Sequence, residues 1–324
     1  MIRLDARAER WPIAGGFAIS RGTKTEAEVV VVRLDDGMGQ GECVPYHRYG
    51  ESVEGVLAAI ASVRQKVEAS PDRLRLLDLM PAGAARNAID CALWDLEAKR
   101  TGVRAWEAAG LDGLRPLQTA YTLSLDTPEA MGAAARDNAG RPMLKLKIGG
   151  PDDLARVEAV AAAAPGASLI VDANEALDFD TLRRLAPDLA RLGVVLLEQP
   201  LKVSEDSQLE GWSSPVPLCG DESLHTRAEL ADCARRYACI NTKLDKAGGL
   251  TEALALKAEA RALGLKVMVG CMVATSLSMA PAALLAQDAD FVDLDGPLLL
   301  ARDRQPGLTY EGSIVQPPTP ALWG

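Results

Sequence analysis

The sequence is nearly devoid of histidine: among 324 residues, only His47 and His225 occur. Most zinc sites and most Ser-His or Cys-His nucleophilic arrangements need histidine, so this scarcity excludes them. The six cysteines are scattered and include no CxxC pair, which indicates reduced thiols in the core rather than a disulfide framework. A metal ion bound by this chain would therefore have to be held by oxygen atoms.

Positive charge and long apolar runs are also lacking. The formal net charge is −10 and the pI is about 4.9, whereas nucleic acids and anionic membranes attract basic surfaces. Residues 1–5 carry charges where a secretory signal needs an apolar run, and the weakly polar stretch 267–286 is interrupted by Gly270, Thr275 and Pro281. We therefore predict a cytoplasmic protein that binds a small molecule, with no nucleic-acid or membrane partner.

The first part of the chain has the pattern of an antiparallel hairpin followed by helices. Residues 28–34 include four consecutive valines, residues 35–37 predict a turn, and residues 38–43 predict the returning strand. Apolar residues at helical spacing predict helices near 52–69 and 84–99. These elements predict an α+β capping domain over residues 1–115.

After Pro116, short apolar runs alternate with helical segments, which is typical of repeated βα units around a parallel sheet. Eight strands are predicted near 118–124, 143–148, 168–173, 194–198, 217–221, 239–244, 266–271 and 290–295. Eight is the number that closes a barrel, so we predict an α/β fold with a modified TIM-type (β/α) barrel over 116–303. The tail, 304–324, is expected to pack back on the capping domain.

The second predicted strand carries two lysines on one face. Because side chains alternate along a strand, Lys145 and Lys147 share a face, while Leu144, Leu146 and Ile148 take the other. The apolar face must meet the surrounding helices. The lysines therefore point into the barrel at the carboxyl end of the strand, where the active sites of such barrels lie.

Charged residues also follow the apolar runs of the later strands: Asp172, Glu198, Asp221, Lys243 and the pair Asp293 and Asp295. From Lys147 to Lys243 these positions are separated by 25, 26, 23 and 22 residues, each a plausible length for one βα unit. The charged side chains are therefore predicted to converge on one mouth. In a ring of eight strands, the second and sixth lie opposite each other, so Lys147 and Lys243 should face the two sides of a substrate.

Three carboxylates on consecutive strands predict a site for a hard cation. Asp172, Glu198 and Asp221 supply oxygen ligands in a chain almost without histidine, and Mg²⁺ fits best, with Mn²⁺ as a possible substitute. Neighbouring polar groups in a position to orient the ligands are Asn174, Glu222 and Asp245.

These motifs resemble those of the enolase superfamily, and more narrowly of its muconate-lactonizing subgroup. They are KLK at 145–147, DAN at 172–174, EQP at 198–200, DE at 221–222 and KLDKAGG at 243–249. The resemblance extends over nearly the whole chain and includes the predicted helix at 84–96. Within the subgroup, residues 20–24, 41–52 and 293–295 resemble the dipeptide epimerases of the L-Ala-D/L-Glu type.

The resemblance implies Mg²⁺-dependent epimerisation of a dipeptide by 1,1-proton transfer at the α-carbon of its C-terminal residue. Asp172, Glu198 and Asp221 resemble the metal ligands, and Lys147 and Lys243 resemble the two acid/base catalysts. An α-proton beside a carboxylate is weakly acidic, so positive charge must stabilise the enediolate intermediate. The same charge and partial desolvation are expected to lower the lysine pKa from about 10.4 toward the working pH.

The resemblance also implies how substrate is recognised. Lys145 resembles the cation beside the enolate, and Asp293 and Asp295 resemble the pair that binds the ammonium group of the dipeptide. Two inward carboxylates repel each other unless a cation completes the site, and that ammonium group would be the cation. Arg21 and Lys24, on a loop expected to close over the mouth, are available for an acidic side chain of the C-terminal residue.

Several alternatives stay open at this point. A cycloisomerase or an o-succinylbenzoate synthase of the same subgroup would share the lysines and metal ligands, but its substrate has no ammonium group for Asp293 and Asp295. A non-catalytic metal-binding barrel is a third alternative. Gly248 and Gly249, at the start of a predicted helix, also permit phosphate binding. A homo-oligomer is possible, and the sequence does not specify the dipeptide.

Overall fold

The predicted hairpin is part of a three-stranded antiparallel sheet. In the computed structural model, which describes residues 2–150 and 153–324, this sheet consists of β1 (Leu4–Ile19), β2 (Gly22–Leu34) and β3 (Gly39–Cys43). Ile19 pairs with Gly22, so the turn between β1 and β2 contains only Ser20 and Arg21. Arg21 therefore lies at the tip of a tight hairpin, whereas Lys24 lies on β2 and not on the loop expected for both residues.

Four helices follow this sheet: α1 (Val53–Ala69), α2 (Arg73–Leu79), α3 (Ala84–Thr101) and α4 (Ala105–Ala108). Helices α1 and α3 pack on the sheet, and α2 and α4 pack on α3. Ser52 caps the start of α1, since its hydroxyl accepts a hydrogen bond from the Gly55 amide at 3.0 Å. Helix α3 packs directly on β3, because a side chain at Gly39 or Gly41 would collide with the α3 backbone. The two predicted helices are confirmed to within two residues at each end.

A two-residue strand, β4 (Leu117–Gln118), leads into an eight-stranded parallel sheet. Its strands are β5 (Tyr121–Leu123), β6 (Met143–Lys147), β7 (Ser168–Asp172), β8 (Val194–Glu198), β9 (Leu218–Gly220), β10 (Cys239–Thr242), β11 (Lys266–Val269) and β12 (Phe291–Val292). Neighbours in the chain pair in order from β5 to β12. The two ends of the sheet meet where the Ala120 amide donates to the Val292 carbonyl at 2.8 Å. The predicted barrel fold is confirmed.

The first and last predicted strands differ from the structure. Residues 118–124 form two separate pieces, and the strand predicted at 290–295 ends at Val292. Side chains replace the sheet hydrogen bonds there: the Thr119 hydroxyl accepts from the Leu294 amide at 2.8 Å, and the Asp295 carboxylate accepts from the Thr122 amide at 2.6 Å. Alternation along a strand therefore does not apply to residues 293–295.

Helices surround the barrel: α5 (Pro128–Asp137), α6 (Asp153–Ala163), α7 (Phe179–Arg191), α8 (Leu230–Arg236), α9 (Leu244–Ala247), α10 (Leu250–Ala262) and α11 (Ser276–Leu285). Short 3₁₀ helices occur at Asp35–Gly37, His47–Tyr49, Asp206–Leu209, Arg227–Glu229 and Gly296–Leu299. The weakly polar stretch 267–286 forms most of β11 and the buried helix α11. Within residues 2–150 and 153–324, no helix has the length and apolar character to cross a membrane.

The C-terminal tail joins the barrel and the cap. Strands β13 (Tyr310–Glu311) and β14 (Ile314–Val315) form a small antiparallel sheet with β4. The chain then reaches the cap, where the Trp323 indole donates to the Cys91 carbonyl at 2.9 Å and the Gly324 amide donates to Asp95 at 2.8 Å. The boundaries drawn from the sequence for cap, barrel and tail stay a prediction.

The alternation predicted for β6 determines what lies inside and outside the barrel. Leu144, Leu146 and Ile148 are fully buried, and they belong to the large apolar cluster that includes the barrel helices. Burying each of these side chains contributes about 1.5–3 kcal/mol. A second cluster fills the barrel interior, with one residue from each of β7 to β11 and one from just before β5: Ile170, Leu196, Cys219, Cys239, Met268 and Ala120. The charged residues of the mouth thus lie above an apolar barrel interior, and apolar packing between the strands and the outer helices surrounds that interior.

Candidate active site

A cavity of about 480 Å³ lies where the cap meets the carboxyl ends of the barrel strands. We call it the mouth cavity. The predicted site residues that line it are Arg21, Lys24, Lys145, Lys147, Asn174, Asp221, Glu222, Lys243, Asp293 and Asp295. Cap residues complete the wall, among them Phe17, Tyr46 and Tyr49. Asp172 and Glu198 lie behind this lining and are fully buried.

The lysines of β6 contact the carboxylates of the next two strands. Lys147 Nζ lies 2.6 Å from Asp172 Oδ2. Lys145 Nζ lies 2.7 Å from Glu198 Oε2, 3.2 Å from Asp172 Oδ2 and 2.8 Å from Asp293 Oδ2. Lys145 therefore joins the carboxylates of β7 and β8 to the carboxylate that follows β12.

The third lysine approaches the mouth cavity from the other side. Lys243 directly follows β10, which is four strands away from β6 in the sheet order. Its Nζ lies 2.6 Å from Asp221 Oδ2, and its side chain lines the same cavity as that of Lys147. A ligand bound in this cavity would have a lysine on either side.

Nearby carboxylates raise the pKa values of two of these lysines. The lowering expected for the acid/base lysines beside a bound cation stays a prediction. Burial lowers the pKa of Lys145, but the carboxylates of Asp293, Glu198 and Asp172 outweigh burial, so the pKa lies well above its ordinary value. Burial likewise lowers the pKa of Lys243, and the Asp221 and Glu198 carboxylates more than reverse it. The direction of each pKa shift therefore depends on the carboxylates close to the lysine. The sequence alone did not show that each lysine has such a partner.

The mouth contains more buried carboxylates than buried ammonium groups. The carboxylates are those of Asp172, Glu198, Asp221, Glu222, Asp293 and Asp295. Five cations are paired with them: the ammonium groups of Lys145, Lys147 and Lys243, which line the mouth cavity, that of Lys246, which lies behind it, and the partly exposed guanidinium of Arg21. Burial and the charge of Asp172 raise the pKa of Glu198 to about 7, and burial and Asp293 raise the pKa of Asp295 to the same value. A site that retains protons on two carboxyls near neutral pH lacks positive charge.

This deficit and the donor chemistry fit a divalent cation. Buried Glu198 Oε2 lies near Lys145 but has no aligned hydrogen bond within the described part of the chain. Asp172, Glu198 and Asp221 offer carboxylate oxygens, the ligands that Mg²⁺ prefers. Among residues 2–150 and 153–324, however, no three acidic, cysteine or histidine side chains form a ready ion-binding cluster. Each of the three carboxylates lies beside a lysine ammonium group, that of Lys147, Lys145 or Lys243.

The carboxylates beyond β12 are not the unpaired couple expected from the sequence. Asp293 Oδ2 is paired with Lys145 at 2.8 Å, and Asp295 Oδ2 accepts the Thr122 amide at 2.6 Å. Buried Asp293 Oδ1 has no hydrogen-bond partner among the described residues. These acids therefore already have partial charge compensation, and one oxygen is left for a donor.

The two cap cations near the mouth differ in how they are engaged. Arg21 donates to Glu222 at 2.9 Å, to the Asn174 carbonyl at 2.9 Å and to the Tyr46 hydroxyl at 3.1 Å. Lys24 lies 5.2 Å from the Tyr46 ring centroid and has no carboxylate within ion-pair distance in residues 2–150 and 153–324. Lys24 is thus available to an anionic ligand, whereas Arg21 holds the cap hairpin to the barrel rim.

A second cap arginine strengthens the same contact. Arg48 Nε and Nη2 each lie 2.7 Å from a different oxygen of Glu175, which follows the Asn174 turn. Paired parallel hydrogen bonds of this kind fix geometry as well as charge. Asn174 and Glu175 both have positive φ, so the turn after β7 is held in a conformation that a free loop would rarely adopt.

The three predicted orienting residues have different surroundings. The Asn174 amide donates to Asp172 Oδ1 at 2.9 Å, and its side chain lies 3.4 Å from Glu222 Oε1. Glu222 therefore contacts Arg21 and Asn174. Asp245 lies instead against the cap, where its Oδ1 accepts from the Val44 amide and from the Asn87 side chain, each at 2.9 Å.

The phosphate site considered at Gly248 and Gly249 is wrong. The carboxylate of Asp90, from α3, accepts from the Thr251 amide at 3.0 Å and caps the start of α10. A side chain at Gly249 would collide with that carboxylate. An anion from the protein itself occupies the position that a phosphate would need.

The sequence-based site missed Asn241 and Lys246. Asn241 Nδ2 donates to Glu198 Oε1 at 2.6 Å, and Lys246 Nζ lies 2.5 Å from both Asp221 Oδ1 and the Asp221 carbonyl. Asn241 was detectable, because it precedes Lys243 by two residues and alternation gives both the same face. Lys246 was not, because residues 244–247 form a helix where strand alternation predicts nothing.

Family models match both parts of this chain. Residues 1–110 match the mandelate racemase / muconate lactonizing enzyme N-terminal domain, and residues 129–320 match the enolase C-terminal domain-like model. The chain therefore belongs to the mandelate racemase / muconate lactonizing enzyme family of the enolase superfamily, as the motifs predicted.

Two relatives are more specific. The chain is 45% identical to L-Ala-D/L-Glu epimerase of Escherichia coli K12, over 93% of this chain and 95% of the relative. It is 44% identical to N-acetyl-D-glutamate racemase of a Pseudoalteromonas species, over 91% of this chain and 94% of the relative. Both relatives are isomerases, the enzyme class predicted from the sequence.

Solved structures give the same grouping. An enolase family member from Agrobacterium tumefaciens, with homology to dipeptide epimerases and with bound sodium and L-Ala-L-Glu, is 54% identical with a TM-score of 0.98 and full coverage of both chains. A dipeptide epimerase from Enterococcus faecalis, complexed with Mg and L-Leu-L-Tyr, is 26% identical with a TM-score of 0.89, covering 98% of this chain and 97% of that one.

Proposed function

We propose that this chain is a Mg²⁺-dependent dipeptide epimerase that inverts the α-carbon of the C-terminal residue, with L-Ala-D/L-Glu as substrate. The observation that carries the proposal is the pair of buried lysines, Lys147 and Lys243, on opposite sides of one cavity beside three carboxylates. A base on either face of a carbon is what inversion by proton transfer requires. The similarity to an L-Ala-D/L-Glu epimerase and to a structure with bound L-Ala-L-Glu supports the substrate class.

In this proposal Asp172, Glu198 and Asp221 hold the cation. Bound Mg²⁺ would supply Lewis-acid polarisation of the substrate carboxylate. The charge deficit of the mouth supports a divalent ion, as does the Mg in the Enterococcus faecalis relative. Lys145, buried between these carboxylates and Asp293, places its ammonium group where negative charge develops on the substrate carboxylate.

Lys147 and Lys243 move the proton. In the structure each ammonium group lies 2.6 Å from one carboxylate oxygen, so each lysine must leave that oxygen and lose its proton before it can act as a base. One lysine then removes the α-proton from its face, and the opposite lysine delivers a proton to the other face. Because the two lysines exchange roles for the two epimers, the reaction runs in both directions.

The ends of the dipeptide are recognised at two different places. The N-terminal ammonium group lies near Asp293 and Asp295, where Asp293 Oδ1 has a free acceptor position among the described residues. The side-chain carboxylate of a C-terminal glutamate contacts Lys24, whose ammonium group has no carboxylate partner within residues 2–150 and 153–324. Arg21 instead holds the cap hairpin to the barrel rim through Glu222 and Asn174, which revises its predicted role in substrate binding.

The test is interconversion of epimers. L-Ala-L-Glu and L-Ala-D-Glu are incubated separately with the protein and Mg²⁺, and the products are separated by chiral chromatography. Both reactions should approach the same mixture, since the enzyme catalyses both directions. Absence of conversion from either epimer, with Mg²⁺ or Mn²⁺, would contradict the proposal.

One observation favours a second candidate, racemisation of N-acetylglutamate. Burial and Asp293 raise the pKa of Asp295 to about 7, so this carboxyl is partly protonated at neutral pH and can donate to an acyl oxygen. Asp293 is already paired with Lys145, which lessens the need for a substrate cation. The 44% identical relative is an N-acetyl-D-glutamate racemase.

The two candidates differ only in the group attached to the glutamate nitrogen. Values of kcat/KM for L-Ala-L-Glu, N-acetyl-L-Ala-L-Glu and N-acetyl-L-Glu separate them. The first proposal expects the free dipeptide to be preferred, because only it brings a cation to Asp293 and Asp295. A cycloisomerase or o-succinylbenzoate synthase would show no preference for the free dipeptide, because its own substrate has no ammonium group.

A further inference from the structure

The three carboxylates of the proposed metal site share one pattern of hydrogen bonding. One oxygen of each accepts from a fixed donor of the protein: Asp172 Oδ1 from the Asn174 amide at 2.9 Å, Glu198 Oε1 from Asn241 Nδ2 at 2.6 Å, and Asp221 Oδ1 from Lys246 Nζ at 2.5 Å. The other oxygen of each faces one of the lysines that line the mouth cavity, at distances of 2.6–2.7 Å.

The fixed donors are not in the mouth cavity. Asn241 and Lys246 are almost fully buried, and neither lines the cavity, whereas Lys145, Lys147 and Lys243 all do. Lys246 is held by three acceptors, since its Nζ also lies 2.5 Å from the Asp221 carbonyl and 3.0 Å from the Asn241 carbonyl. An ammonium group with three fixed acceptors and no access to the cavity cannot exchange with a ligand.

Lys246 and Asn241 are also joined to each other. The Lys246 ammonium group bonds the backbone of Asn241, and the Asn241 side chain bonds Glu198. Gly270, which directly follows β11, leaves room for this side chain, because a Cβ there would lie 2.6 Å from Asn241 Oδ1. The two residues thus form one buried unit that contacts both Asp221 and Glu198.

We infer that Lys246 and Asn241 are positioning residues that each hold one oxygen of a metal-binding carboxylate, so that Asp221 and Glu198 each present a single oxygen to the cation. This inference rests on the proposed function, since it concerns the same Mg²⁺ site. Three carboxylates that each give one oxygen leave further positions of an octahedral ion for substrate and water. Without the held oxygens, each carboxylate could rotate or bind through both atoms.

The sign of a change in Mg²⁺ affinity separates positioning from charge. Removing the ammonium group of Lys246 takes away a like charge near the ion, so a purely electrostatic role predicts tighter binding. A positioning role predicts weaker binding, because Asp221 loses its fixed orientation. Groups that orient metal ligands typically change metal affinity by about 10–100-fold when they are mutated.

The experiment is calorimetric titration of Mg²⁺ into the protein without dipeptide, for the wild type, Lys246→Met and Asn241→Ala. We expect both variants to raise Kd by about tenfold or more. Lys257→Met is the matched control for loss of a partly buried ammonium group, since Lys257 bonds the Leu285 and Gln287 carbonyls away from the mouth. Asn138→Ala controls for the loss of an asparagine amide that bonds a helix carbonyl. Both controls should leave Kd unchanged, even where they lower the melting temperature.

Binding by Lys246→Met that equals or exceeds that of the wild type would overturn the assignment. If Lys246→Met does not fold, Asn241→Ala decides alone, because it removes a neutral group, and an unchanged Kd in that variant would equally overturn it. The titration measures Mg²⁺ binding in the absence of dipeptide. A wild type that binds Mg²⁺ but converts no substrate would therefore defeat the proposed function and leave this inference standing.

Discussion

The two sides of the mouth cavity are built differently. On the side of β7 to β9, each carboxylate has one oxygen fixed by a protein donor and the other beside a lysine. On the side beyond β12, Asp293 shares Lys145 with Glu198, and its Oδ1 has no partner among the described residues. On the first side the protein holds one oxygen of every carboxylate, whereas on the second side Asp293 Oδ1 is left without a donor among the described residues.

From this difference we infer that the side of β7 to β9 determines the proton-transfer chemistry and that the side beyond β12 determines substrate preference. Carboxylates that are each held at one oxygen by the protein give a fixed site for a cation. A buried carboxylate oxygen without a donor, such as Asp293 Oδ1, needs a hydrogen bond that the ligand itself must supply. Changes on the first side should therefore affect all substrates alike, and changes on the second side should alter their ranking.

The largest effect should come from disrupting the metal side. Asp172→Asn, Glu198→Gln or Asp221→Asn removes one negative ligand, and each should weaken Mg²⁺ binding and lower kcat by about four orders of magnitude. The loss should be similar for L-Ala-L-Glu and N-acetyl-L-Glu. Exhaustive chelation of the wild type should reproduce it, and activity that survives chelation would remove the cation from the mechanism.

Lys147→Ala and Lys243→Ala should each abolish epimerisation, with a loss of about a thousandfold or more, because one face of the carbon loses its base. Each variant should retain exchange of the α-proton with D₂O for one epimer at most. Proton NMR of both epimers measures this. Lys257→Met serves as the control, and full epimerase activity in either lysine variant would end the two-base mechanism.

An effect of about a hundredfold is expected on the substrate side. Asp293→Asn or Asp295→Asn should lower kcat/KM for L-Ala-L-Glu by this amount, because the ammonium group loses a charged partner. Activity on N-acetyl-L-Glu should change far less. Equal losses on the two substrates would show that these acids support the site without contacting the ammonium group, and the second candidate function would then lead.

Lys24→Met should lower kcat/KM for L-Ala-L-Glu by about tenfold, the cost of one exposed charged contact. L-Ala-L-Leu has no side-chain carboxylate, so its kcat/KM should not fall. The ratio of the two substrates is the measurement. A parallel loss on both would assign Lys24 to closure of the cap rather than to specificity.

The smallest effect concerns stability at the contact between cap and barrel, away from both sides of the mouth. Burial raises the pKa of Asp245 to about 7, so the folded state binds a proton there that the unfolded state releases near pH 4. Wild-type stability should therefore fall as the pH rises from about 4 to above 7. Asp245→Asn keeps an oxygen for Val44 and Asn87 and should be more stable than the wild type by about 2 kcal/mol at pH 8.

Urea unfolding of both proteins without metal, at pH 5 and pH 8, tests this expectation. The two stabilities should be closer at pH 5, where the Asp245 carboxyl is largely protonated in the folded state. A wild type that is more stable than Asp245→Asn at pH 8 would mean that the buried carboxylate is stabilised by charge.

Local patterns predicted the barrel and much of its mouth. Alternation on β6 was sufficient to place Lys145 and Lys147 inside, because one face of that strand had to be apolar. Alternation did not apply beyond Val292, where side chains replace the hydrogen bonds between strands, or after Lys243, where a helix begins. Alternation holds only within a strand. Asp293 and Asp295, beyond β12, were therefore placed at the mouth by an argument that does not apply to them, and Lys246, on α9, was missed.

Contacts between distant segments were beyond local patterns altogether. The pairing of Arg21 with Glu222 joins the tip of the cap hairpin to the end of β9, and nothing in residues 20–24 indicates it. The raised pKa values of Lys145 and Lys243 likewise depend on how closely carboxylates of other strands approach. Sequence spacing predicted which charges meet, and the structure was needed to see how each charge is compensated.

The fate of each α-proton of L-Ala-L-Glu in D₂O with Mg²⁺, followed by proton NMR, tests directly whether a proton is transferred at the C-terminal residue. We expect the glutamate α-proton signal to disappear as L-Ala-D-Glu forms, while the alanine α-proton is retained. Unchanged glutamate and alanine α-protons after prolonged incubation, or exchange at alanine instead, would contradict the claim that Lys147 and Lys243 transfer a proton at the C-terminal residue.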